Sequence, residues 1–97
     1  MKDKLKKLLK KTIASEKIVD NNSVNNLQIE ISRSSKPDHG DFSSNIALKL
    51  SKQVGLNPFE LATSLSSSID KPNWLKKIEV VQPGFINFFI VSEVKAD

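Results

Sequence analysis

The sequence predicts a two-layer α+β domain, a small antiparallel sheet of three to four strands with about three helices packed on one face. Three observations carry this. Apolar residues recur at helical spacing at the N-terminus and twice more in the middle of the chain. They alternate with polar residues over 27–33. Two β-rich runs, 76–82 and 85–91, flank Pro83-Gly84, a pair that favours a hairpin or sharp bend.

Taken in order, residues 2–18 read as a helix whose stripe is Leu5, Leu8, Leu9, Thr12 and Ile13, with lysines over the remaining surface. The turn formers of 20–26 end it. In 27–33, Leu27, Ile29 and Ile31 point one way while Gln28, Glu30 and Ser32 point the other. A loop over 34–41 is broken by Pro37 and Gly40. A second helix is expected over 43–54, capped by Asp41 or Ser43 and stopped by Gly55. Asn57-Pro58-Phe59-Glu60 then carries a cap, a proline suited to the first helical position and an acidic third residue, so a third helix should run to about Ile69. Residues 70–75 form a loop around Pro72 before the final strands.

A chain of 97 residues makes one compact domain with a modest core. Its 15 basic and 11 acidic residues leave a net charge of +4, a mild bias toward a polyanionic partner. Without cysteine there is no disulfide framework, thiolate metal site or cysteine nucleophile. No apolar run reaches the roughly 18 residues of a membrane helix. The basic start lacks the apolar stretch of a secretory signal and uses Lys where a transit peptide would use Arg. A cytoplasmic protein with no membrane partner is therefore expected.

Catalysis by this chain alone is not expected. His39 is the only histidine, and no Gly-x-Ser-x-Gly elbow, phosphate-binding glycine loop or zinc-ligand set accompanies it. Binding has three candidates. Seven of the first 17 residues are Lys, and Lys6, Lys7 and Lys10 are possible phosphate contacts, although a Lys-covered helix is also an ordinary solvated face. On the last strand, Phe85, Asn87 and Phe89 share one side and Ile86, Phe88 and Ile90 the other. An exposed Phe can stack on an unpaired base while an adjacent amide reads its edge, or these rings can be core or a protein contact. In the loop His39-Gly40-Asp41-Phe42-Ser43-Ser44-Asn45, a helix start can hold a phosphate, but Asp41 would repel it, and a capped structural loop is the plainer reading.

Gly40-Asp41-Phe42-x-x-Asn45, the Asn57-Pro58 helix start and Pro83-Gly84-Phe85-Ile86-Asn87-Phe88 together resemble, in order and spacing, the N-terminal additional domain of the arginyl-tRNA synthetases. The resemblance covers nearly the whole chain. It implies a class I synthetase that spends ATP, with magnesium, to attach arginine to its tRNA, a ligase of protein biosynthesis. It makes residues 1–97 the tRNA-binding domain of that enzyme, with the rest of the synthetase and the tRNA for arginine as partners. The His-x-Gly-His and Lys-Met-Ser-Lys-Ser signatures are absent, so the catalytic and anticodon-binding parts should lie outside this chain, which itself needs no cofactor.

By the same resemblance, an amide, a Phe and a second amide around the Pro83-Gly84 turn embrace a D-loop nucleotide at the outer corner of the tRNA. Matched onto this sequence they are Gln82, Phe85 and Asn87. Gly40, Asp41, Asn45, Pro83 and Gly84 are the structural part of the motifs. Two other functions stay open on the residues alone: a standalone protein-interaction module using the Phe85 face, and a general RNA-binding domain.

Overall fold

The computed structural model describes residues 2–19, 23–24, 26–34 and 40–91. Among these residues, three helices and four strands follow in the order α1 (Lys2–Ser15), β1 (Ile31–Arg33), β2 (Phe42–Ser44), α2 (Ile46–Val54), α3 (Pro58–Ser68), β3 (Leu75–Val81) and β4 (Phe85–Ile90). The sheet order is β1-β2-β4-β3, antiparallel at every pairing. The expected α+β architecture is present.

Strand β4 is the centre of the fold because its two faces differ. Ile86, Phe88 and Ile90 are buried to 2% exposure or less. They join Leu5, Leu9 and Ile13 of α1, Ile46 and Leu50 of α2, and Leu61 and Leu65 of α3 in one core. The helices therefore lie on the face carrying Ile86, Phe88 and Ile90. The opposite face carries Phe85, Asn87 and Phe89 and has none of these three helices over it.

The helix ends have distinct causes. In α1 the Lys17 N–H donates to Ala14 O at 3.2 Å and the Ile18 N–H to Ile13 O at 3.4 Å, with Lys17 at φ +54°. That is the double bond pattern of a left-handed helix stop, made here without glycine. Gly55, at φ +72°, ends α2, and its N–H donates to Ser51 O. Asn57 caps α3 as the sequence indicates, accepting from Phe59 N at 2.9 Å and Glu60 N at 3.1 Å, with Pro58 opening the helix.

Three details depart from the sequence reading. Strand β2 occupies Phe42–Ser44, where a helix was expected from residue 43, and α2 starts at Ile46. Asp41 and Ser43 do not cap α2. The Asp41 carboxylate accepts from Ile90 N at 2.7 Å and stitches β2 to β4, while Ser44 Oγ accepts from Ile46 N at 3.2 Å. The strand expected over 27–33 is laddered only at Ile31–Arg33. The alternation persists upstream, with Ile29 buried and Gln28 and Glu30 exposed. These residues have no ladder because β2 offers only three partners before the chain turns into α2.

Candidate nucleic-acid interface

The hairpin of β3 and β4 presents the candidate residues. Its register pairs Val81 with Phe85, Glu79 with Asn87 and Lys77 with Phe89 on the open face. Ser43 of β2 lies opposite Asn87 on the other side and Ser32 lies beyond it. Asn87 thus sits in a polar row, Ser32-Ser43-Asn87-Glu79, with a phenylalanine on either side of it along β4.

Phe85 is 39% exposed and Val81 43%. Both are at the hairpin tip beside Gln82 and Pro83, which are exposed too. With Leu56 they are the exposed large hydrophobic residues among those described. Phe89 is half-buried, and Lys77 Nζ lies 4.5 Å from its ring centroid while pairing with Glu79 at 3.1 Å. One ring of the face is therefore engaged by a cation and the other is open to a ligand. Asn87 is 6% exposed, deeper than strand alternation suggests. Its amide makes no hydrogen bond among the described residues. An amide on the floor of a shallow face, without an internal partner, retains its donors and acceptor for an incoming edge.

Two glycines hold this geometry. A Cβ on Gly40, at φ +82°, would lie 2.7 Å from the Phe88 carbonyl oxygen, so the chain crosses β4 there only as glycine. A Cβ on Gly84 would lie 2.9 Å from Pro58 Cβ and 3.0 Å from the Pro58 carbonyl. The hairpin turn is thus seated on the first turn of α3, which joins the Asn57-Pro58 and Pro83-Gly84 motifs into one unit. Asn45 marks the start of α2 without a side-chain cap bond, and its buried Oδ1 has no partner.

Lys6, Lys7 and Lys10 line a groove of about 500 Å³ with Asp3 and with Leu27, Gln28, Ile29 and Glu30. Lys6 and Lys10 are half-buried and Lys7 is exposed. No ion pair engages the three among the described residues. Glu30 is paired with Lys49 of α2 at 3.3 Å. The groove could not be read from the sequence, since it depends on where 27–30 runs beside α1. His39 lies outside the described residues.

No group of three or more His, Cys, Asp or Glu that could hold a metal forms among the described residues. The described residues therefore offer no ligand set for the magnesium that the resemblance implies for the synthetase as a whole. No described helix is long and apolar enough to cross a membrane.

A family model for the arginyl-tRNA synthetase N-terminal domain matches residues 1–90. The chain is 34% identical over 99 residues to the arginine–tRNA ligase of Stutzerimonas stutzeri, a match covering 99% of this chain and 17% of that protein. It is 49% identical over 69 residues to that of Mycoplasma mobile, covering 66% of this chain and 13% of the relative. Among solved structures, the arginyl-tRNA synthetase of Thermus thermophilus superposes with a TM-score of 0.79 at 18% identity, covering 96% of this chain and 14% of that one. That of Plasmodium falciparum gives 0.74 at 16% identity, with coverages of 95% and 16%. The chain spans less than a fifth of the length of these relatives, and the two superpositions show the same fold. With a family model running from its first residue to the end of β4, this chain belongs to the arginyl-tRNA synthetase N-terminal domain family.

Proposed function

We propose that the domain holds the D-loop corner of the tRNA for arginine and so positions that tRNA for an arginine–tRNA ligase. Phe85 stacks on an unpaired base, and Asn87, with Gln82 at the turn, hydrogen-bonds to its edge. ATP is used in the catalytic part of the enzyme, outside these residues, and that part is the domain's second partner. The observation that carries the reading is a solvent-facing ring on an otherwise buried strand, two residues from an amide that makes no hydrogen bond among the described residues. The family match favours this over a standalone protein-binding module or a general RNA binder.

The mechanism is positional, so its effect belongs in tRNA capture. Base stacking contributes about 1–3 kcal/mol, so Phe85→Ala should lower kcat/KM for tRNA by about tenfold or more in the complete enzyme. The kcat at saturating tRNA should change little, because a contact made equally in the ground and transition states affects binding alone. Aminoacylation measured at subsaturating tRNA checks this. An unaltered rate there removes Phe85 from the role.

A further inference from the structure

The groove beside α1 lies at the same end of the sheet as Phe85. Ile31, Ser44, Ile86 and Val80 form one row across the four strands. Phe85 precedes Ile86 on β4 and Glu30 precedes Ile31 on β1, so both leave the sheet at that end. The strands carrying them are two strand spacings apart, about 10 Å. From Glu30 the chain continues back through Ile29, Gln28 and Leu27, which form one wall of the groove, and Lys6, Lys7 and Lys10 form the other with Asp3.

We propose that this groove binds the sugar-phosphate backbone of the same RNA whose base meets Phe85, with Lys6, Lys7 and Lys10 as phosphate contacts. The proposal rests on the reading of Phe85 for its choice of ligand, and charge and geometry supply the rest. Three ammonium groups with no ion pair face two carboxylates, and one of these, Glu30, is already paired with Lys49. Lys6 and Lys10, one helical turn apart, are half-buried along the wall. Their stems are restrained while their charges stay unpaired, which suits a string of phosphates better than a single compact ion. The groove lies on the helix side of that end and the ring on the open side, so a single strand that wraps around the end of the sheet would meet both. Asp3 is the one unpaired negative charge in the groove and opposes binding.

The test is equilibrium binding of the tRNA for arginine to the complete polypeptide, measured across a range of salt concentrations. Each phosphate contact contributes about 0.7–0.9 to the slope of log K against log salt. Lys6→Gln, Lys7→Gln and Lys10→Gln combined should reduce that slope by about 2. The control combines Lys2→Gln, Lys4→Gln and Lys11→Gln, which remove the same charge from exposed positions of α1 outside the groove. Asp3→Asn should tighten binding at low salt. A slope lowered by the groove variant and kept by the control supports the proposal. Equal losses in both, or no loss in the groove variant, overturn it. Phe85→Ala should weaken binding at every salt concentration with an unchanged slope. Failure of the base contact and failure of the groove are therefore read on separate axes.

Discussion

Two phenylalanines three residues apart on β4 have opposite tasks. Phe88 is fully buried in the core, whereas Phe85 faces solvent at the hairpin tip. Phe88→Ala should cost about 3–5 kcal/mol, a large part of the stability of a domain this small. Phe85→Ala should leave urea unfolding within about 0.5 kcal/mol of the parent. If Phe85→Ala destabilised the domain as much as Phe88→Ala, its ring would be a structural residue, and the proposed stacking would lose its basis. The glycines offer a second contrast. Gly40 and Gly55 both adopt left-handed conformations, but a Cβ on Gly55 meets nothing within 4 Å whereas one on Gly40 meets the Phe88 carbonyl. Gly55→Ala should therefore cost only the conformational penalty, about 1 kcal/mol, while Gly40→Ala should add a main-chain clash and cost clearly more. Unfolding of the two variants side by side separates the terms.

At the level of elements, α1 ends on a left-handed Lys17 where glycine is the usual choice. Lys17→Gly should stabilise the domain by about 0.5–1 kcal/mol, the relief of the Cβ penalty less the added chain entropy. A lower thermal midpoint in that variant would mean that Lys17 contributes contacts beyond its backbone. The elements also show what was legible beforehand. The cap at Asn57 and the two long strands were plain, because cap chemistry and alternation are local signals. Strand β2 was hidden. Phe42-Ser43-Ser44 is too short to alternate, and Asp41 and Ser43 mimic helix caps. The partner of Asp41 is Ile90 N, 49 positions along the chain, and no local pattern encodes such a bond. The same limit applies to the site. The face shared by Phe85, Asn87 and Phe89 followed from parity, whereas the depth of Asn87, the Lys77 cation over Phe89 and the wall of the lysine groove all depend on tertiary neighbours.

For the molecule as a whole, the three helices pack on one face of the sheet, the ring and the amide lie on the other, and the basic groove runs between α1 and residues 27–30. Binding shared among such separate contacts, as proposed, would be weak piece by piece. Its parts should combine nearly additively when they do not touch. The groove and Phe85 substitutions, measured singly and together in the complete enzyme, should show little coupling. Strong non-additivity would mean that they act on one local structure.

Gly84 pressed against Pro58 has a consequence for how such a domain changes over time. The angle at which the aromatic tip meets its ligand is inherited from the helix beneath it, as a gemstone's is from its setting. Lengthening the 55–57 connection, which lies outside the proposed contacts at 82–87, should reorient that tip without unfolding the domain. If the proposed contacts hold, discrimination among tRNAs would drift through changes in a segment outside them.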